Sequence, residues 1–249
     1  MLHTGRTRIV LSQTDSTNME AFRLLERGQL EEGTLVITRE QTAGRGQGNT
    51  SWESEPGSNL TFSVILKPSF LEVSRQFLLT KVISLAVKEV IERRVAPHRV
   101  SIKWPNDIYI GNGKVCGMLI ENRIMGSQFQ VCVAGIGINV NQRVFRSQAP
   151  NPVSVSQITQ SLHDRDEILN DFCSTLDKRY LQLQNQQTAL LDHDYLQALL
   201  GMNKPREFME AGRKFTATIT GVSEYGWLIL MDERGCRQEY DLKQIRFLF

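Results

Sequence analysis

The chain has 249 residues, 41% of them hydrophobic and 22% charged, a balance that supports one large or two modest folded domains without help from disulfides. Its formal net charge of +2 excludes the strongly basic surface of a general nucleic-acid binder, so any anion site must be built from local groups. The cysteines Cys116, Cys132, Cys173 and Cys236 form no C-x-x-C pair and have no histidine at ligand spacing, which argues against a zinc site.

Cys116 and Cys132 lie in apolar runs and read as small buried hydrophobes. Free thiols suit a reducing cytoplasm. The N-terminal MLHTGRTRIV carries no hydrophobic signal core, and no segment is apolar for long enough to span a membrane. The expectation is therefore a cytoplasmic protein with no membrane partner.

In chain order, Asp15-Ser16-Thr17-Asn18 opens a helix over about residues 17–27. Thr17 and Glu20 have capping-box spacing, Gly28 is a natural stop, and Ala21, Phe22, Leu24 and Leu25 supply the apolar face. Residues 33–41 read as a strand and 59–67 as another, ended by Pro68. Between them lies the glycine-rich, polar TAGRGQGNTSW. Residues 71–95 are helical, with Phe77, Leu78, Val82, Leu85, Val90 and Ile91 recurring as an apolar face.

Short strands follow at 99–104, 107–110, 114–124 and 128–140, with Gly126-Ser127 as a hairpin turn, and these should form a central sheet. Residues 154–200 read as helix in two or three pieces, with Leu169, Phe172, Leu176, Tyr180 and Leu181 on one face. From Glu207 the chain is β-rich, with turns marked by Gly221, Gly226 and Gly235. The expected division is a catalytic domain over 1–203 and a small barrel-like domain over 204–249.

Four segments could carry chemistry. In Gly44-Arg45-Gly46-Gln47-Gly48-Asn49 the alternate glycines let backbone N–H groups form an anion-binding concavity, and Arg45 adds a guanidinium. A flexible hairpin tip explains the same composition. Lys103-Trp104-Pro105-Asn106-Asp107 places an Asn–Asp pair on a stiff corner that could hold phosphate, Mg²⁺ or an amine, and is equally a favoured β-turn composition. Lys114 opens an apolar strand as a surface gatekeeper or as a cation aimed into a cleft, with Gly117 marking a close approach. Gly135 and Gly137 clear one face of a strand that ends at Asn139, for a ligand or for tight sheet packing. Scattered histidines and the lack of G-x-S-x-G and H-E-x-x-H argue against a Ser-His-Asp hydrolase and a zinc enzyme.

In order, DSTN, EQTAGRGQGNTSW, GSNLTFS, KWPND, KVCGMLIE and GIGINVN resemble the biotin–protein ligases, over essentially the whole chain. The resemblance implies an α+β fold: a central mixed β-sheet with helices on one face, of the class II synthetase type, and an SH3-like C-terminal β-barrel. It implies ATP with Mg²⁺ as co-substrate, biotin as substrate, and a biotin carboxyl carrier protein of a biotin-dependent carboxylase as partner. Ser16, Thr17, Asn18 and Gln41 would hold the biotin ring end. Gly44, Arg45, Gly46 and Gln47 would form the loop over biotin and its adenylate. Gly117 and Gly135 would let backbone lie against biotin. Trp52 would form the adenine end. Asn106 and Asp107 would face phosphates, metal and the acceptor amine. Lys114 would contact the biotin carboxylate and the α-phosphate, and Asn139 the nucleotide. Arg45, Lys114 and Asp107 would be catalytic, Asp107 by orienting or deprotonating the amine.

One departure stands in the loop: the family often has a second arginine where this chain has Gln47. Some members carry an N-terminal helix-turn-helix, whereas 14 residues precede Asp15 here, so a ligase without DNA binding is expected, as a monomer or homodimer. Lipoate–protein ligase, which shares the fold, is the nearest alternative. A non-catalytic biotin or carrier binder is the alternative from another class.

Overall fold

The computed structural model describes residues 2–28, 30–48, 50–146 and 151–248; Asn49 of the glycine–arginine loop and the terminal Phe249 lie outside them. The element order is β1 (Arg8–Leu11), α1 (Thr17–Glu26), β2 (Leu35–Thr38), β3 (Leu60–Leu66), a 3₁₀ turn (Val73–Arg75), α2 (Phe77–Val95), β4 (Val100–Lys103), β5 (Asp107–Ile110), β6 (Gly113–Met125) and β7 (Gln128–Ile138). Then come α3 (Val155–Thr159), α4 (Arg165–Gln184), α5 (Thr188–Ala198) and β8 to β12 (Pro205–Glu210, Arg213–Val222, Leu228–Asp232, Arg237–Tyr240, Ile245–Phe247).

Seven strands form one sheet in the order β1-β2-β3-β7-β6-β5-β4, and five form a second, β11-β10-β9-β8-β12. β1 runs parallel to β2 and makes the first sheet mixed. The ladders of the second sheet are antiparallel, as an SH3-like unit requires.

Strand alternation decides where the site lies. A strand sends successive side chains to opposite faces. On one face, Phe62 and Val64 of β3, Ile102 of β4, Ile108 of β5, Cys116 of β6 and Ala134 and Ile136 of β7 pack in one core with α2 and α4. The intervening residues Thr61, Ser63, Lys103, Asp107, Gly117, Leu119, Gly135 and Gly137 face the other way. Further along that second face, Ile65, Val131 and Val133 pack against Ala21 and Leu24 of α1. Helices therefore cover both faces, not one: α1 shares the second face with the glycines.

Two local expectations change. Ser16, not Thr17, is the N-cap of α1, and it makes no side-chain cap bond. The capping box is displaced by a tertiary contact, since Thr17 donates its backbone N–H to Gln41 Oε1 at 2.9 Å, while Glu20 is paired with Arg23 at 2.9 Å. Gly221 lies inside β9, opposite Ile229, beside a register shift between Ile229 and Leu230. Gly226 and Gly235, with φ of 90° and 82°, do make turns. Leu181 is half-buried while Leu183 takes a core place.

Candidate active site

The second face opens into a cavity of about 560 Å³. Of the residues singled out from the sequence, Ser16, Thr17, Asn18, Gln41, Arg45, Gly46, Gln47, Trp52, Asn106, Asp107, Lys114, Gly117, Gly135 and Asn139 line it. Gly44 does not. A Cβ there would lie 2.5 Å from the Trp52 carbonyl oxygen, so glycine is needed for the chain to double back.

That doubling back is a hairpin. Trp52 N–H donates to Gly44 O at 2.9 Å and Gly46 N–H to Thr50 O at 2.8 Å. The hairpin and ligand-loop readings of this segment describe the same object, because the turn delivers Trp52 to the cavity floor. Its indole lies across Gly117 and Gly137, which are register partners on β6 and β7. A Cβ on Gly117 would sit 2.8 Å from Trp52 Cζ3. A Cβ on Gly135 would sit 2.5 Å from Asn18 Oδ1. The faces cleared by these glycines are thus filled by the protein's own side chains, and among the described residues the buried Trp52 Nε1 has no hydrogen-bond partner.

The two ends of the cavity differ in chemistry. At the α1 end, Gln41 Oε1 accepts from Thr17 N–H, which leaves its amide nitrogen free of protein partners among the described residues. Asn18 is locked: Nδ2 donates to Leu119 O at 3.0 Å and Glu121 Oε2 at 2.7 Å, and Oδ1 accepts from Ser63 at 2.6 Å. At the other end, Lys114 Nζ meets Asp107 Oδ2 at 2.7 Å. Arg45, 49% exposed, turns back toward the α1 end, where it donates to Met19 Sδ at 3.3 Å and lies 3.9 Å from Glu121. Asn139 Nδ2 donates to Val153 O at 3.2 Å, and its buried Oδ1 has no partner among the described residues. Burial pushes the Cys132 thiol up to about 12, and the Cys116 thiol also well above its usual range, so neither supplies a nucleophile.

The sequence profile of the Biotin/lipoate A/B protein ligase family matches residues 10–139, more than half of the chain and the part that supplies most of this cavity's lining. The chain belongs to that family. It is 30% identical over 234 residues to the bifunctional ligase/repressor BirA of Bacillus subtilis, covering 93% of this chain and 70% of that protein. It is 29% identical to the biotin--[acetyl-CoA-carboxylase] ligase of Paracoccus denitrificans, covering 91% of this chain and 95% of that one. Among solved structures, the biotin protein ligase of Aquifex aeolicus in complex with biotin and ATP superposes with a TM-score of 0.80 at 27% identity, covering 98% of this chain and 100% of that one.

Three contributors to this cavity escape a reading of the sequence. Ser63, fully buried, fixes Asn18, yet in NLTFS it looks like an ordinary strand residue. Glu121 closes KVCGMLIE and looks like a surface charge, but orients the same Asn18. Lys103 lines the cavity although it precedes the Asn–Asp pair that draws attention. For Ser63 and Lys103 the signal was strand parity with Gly135 and Asp107, their register partners.

Proposed function

We propose that this chain is an ATP-dependent biotin–protein ligase that joins biotin to a lysine of a carboxylase carrier protein through a biotinyl-adenylate. The observation that carries this reading is the two-ended cavity: the polar side chains of Thr17, Asn18 and Gln41 at the α1 terminus, and Lys103 and Lys114 with the Asp107 carboxylate at the far end. A fused polar ring system with a carboxylate tail suits the first end, and the phosphates of ATP suit the second.

Biotin's ring nitrogens and oxygen would meet Ser16, Thr17, Asn18 and Gln41, with Gly46, Gln47, Gly117 and Gly135 shaping the walls and Gly44 letting the loop double back. Its carboxylate oxygen attacks the α-phosphorus of ATP and pyrophosphate leaves. Both reactants are anionic, so Lys114 and Arg45 lower their repulsion and stabilise the transition state. Asn106 and Asn139 would contact the nucleotide and Trp52 its adenine. The acceptor lysine's neutral amine then attacks the acyl carbon, AMP leaves, and the amine proton passes to Asp107 or water. Exclusion of water by the loop over residues 44–52 protects the mixed anhydride from hydrolysis. A second cavity of about 240 Å³ adjoins the first at Pro105 and Asn106 and opens beside Tyr225 and Trp227, which gives the acceptor segment a way in.

Among the described residues no group of three His, Cys, Asp or Glu could hold a metal ion. Mg²⁺ that arrives on nucleotide needs only one or two protein oxygens, and Asp107, with the unpartnered Asn139 Oδ1, is of that hard-donor class. The ion would offset phosphate charge there. Among the described residues no helix is long and apolar enough to cross a membrane, and a cytoplasmic location is part of the same proposal.

Pyrophosphate exchange into ATP, run with biotin and with lipoate, tests the reading. Exchange with biotin is expected; exchange with lipoate alone, or with neither, overturns it.

A further inference from the structure

Lys103 is the last residue of β4, and its register partner on β5 is Asp107. Strand parity turns both toward the cavity, and both line it. The Asp107 carboxylate, however, is bound to Lys114 at 2.7 Å. Among the described residues no carboxylate lies within 4.0 Å of the Lys103 ammonium. Its nearest compensation is the ring of Phe247 on β12, 4.8 Å away, a cation–π contact from the second sheet. Two ammonium groups and one carboxylate leave this wall with an excess positive charge. Burial pulls the Lys103 ammonium below its usual range, with Asp107 working against this and Lys114 adding to it. A cation held half-buried and uncompensated against a cavity is stabilised by an anion that enters.

We propose that Lys103 is a substrate-contacting catalytic residue that receives the β- and γ-phosphates of ATP and holds them as they leave as pyrophosphate. The assignment rests on the adenylation reading above, in which Lys114 and Arg45 serve the α-phosphate and the reacting carboxylate. The terminal phosphates carry the larger share of the nucleotide's charge and need a cation of their own. The loop does not supply it, because the neutral amide of Gln47 stands there. Phe247 then gives the second sheet a part in positioning Lys103, since its ring contacts the ammonium without neutralising it.

The test compares Lys103→Gln and Lys103→Arg with the parent protein in three assays. The KM values for ATP and pyrophosphate in biotin-dependent exchange should rise roughly tenfold to a hundredfold in Lys103→Gln and recover in large part in Lys103→Arg. Transfer of biotin from isolated biotinyl-adenylate to a carrier should stay near the parent rate in both. Calorimetry with inorganic pyrophosphate alone should show weaker binding to Lys103→Gln. Unchanged KM values, or equal loss of exchange and transfer, would overturn the assignment. If the parent protein shows no exchange with biotin, the adenylation reading fails by itself, and the calorimetric arm still decides whether Lys103 binds pyrophosphate. Matching thermal melts of the variants exclude misfolding as the cause.

Discussion

Lys114 and Asp107 form an ion pair at 2.7 Å across the irregular β5–β6 ladder, each side chain about one-fifth exposed (21% and 22%). The register shift between Ile108 and Tyr109 lets Asp107, the first residue of β5, and Lys114, the second of β6, meet on the cavity side. In this state each group occupies the other. Phosphates that draw Lys114 away would release the Asp107 carboxylate for the acceptor amine, which couples the two half-reactions through one contact. Lys114→Ala is expected to lower pyrophosphate exchange by about 10² to 10³. Asp107→Asn should leave exchange within about tenfold of the parent while slowing transfer from adenylate to carrier by about 10² or more. Single-turnover measurement of each half-reaction checks both; equal effects of Asp107→Asn on the two steps would remove its role in transfer.

A methyl group at Gly137 would collide with the Trp52 indole. Gly137→Ala should therefore expel the indole from the floor, cost about 1–3 kcal/mol in stability, and shift Trp52 emission toward that of a solvated tryptophan. Fluorescence and denaturant melts of Gly137→Ala, with Trp52→Phe to assign the signal, measure this. An unchanged spectrum would mean that the sheet yields instead.

Gln47 lines both cavities and carries no charge. Gln47→Arg restores the residue often found at this place in the family and adds a guanidinium to the loop. Release of biotinyl-adenylate should slow by about tenfold, with less free adenylate hydrolysed in the absence of carrier. Stopped-flow release of adenylate is the measurement, and an unaltered rate would show that the loop grips by shape alone.

The DSTN segment offers a pH test. The Arg23 guanidinium holds the Asp15 carboxyl down at about 2 from an ordinary 3.8. A depressed acid stabilises the fold above its unfolded pKa, and that contribution fades as pH falls from about 4 through about 2. The pair is largely exposed, at 42% and 39%, so solvent screening keeps its contribution small. Thermal melts of Asp15→Asn and the parent should differ slightly near pH 6 and converge near pH 2. A gap that persists at pH 2 would assign the effect to the local turn.

Much of this was legible in the chain because it depends on local rules. The strand over 107–110, the Gly126-Ser127 hairpin and the alternate glycines of β6 and β7 follow from period and turn chemistry. β1 was not legible: four residues at a sheet edge, Arg8–Leu11, offer too short a pattern, and their parallel partners, Leu35–Thr38, lie beyond the intervening helix α1. The capping box failed because Gln41 reaches Thr17 from a distant loop, which sequence spacing does not encode. The candidate site residues were found by type and order, but their mutual pairing, Lys114 with Asp107 and Trp52 with Gly117, depends on sheet register and on how one loop folds back.

The glycine pair Gly117–Gly137 leaves a stretch of sheet without side-chain cover, and Trp52 supplies that cover from outside the sheet, as an aromatic ring does over an exposed glycine in a β-ladder. Any molecule that settles on this ground is a competitor of the indole. Its apparent affinity is reduced by the fraction of protein in which the ring is seated. Once displaced, the hairpin over residues 44–52 must find a new apolar surface, and the newcomer is the nearest one. Seating a ligand on these glycines and reseating the indole would then be a single thermodynamic event.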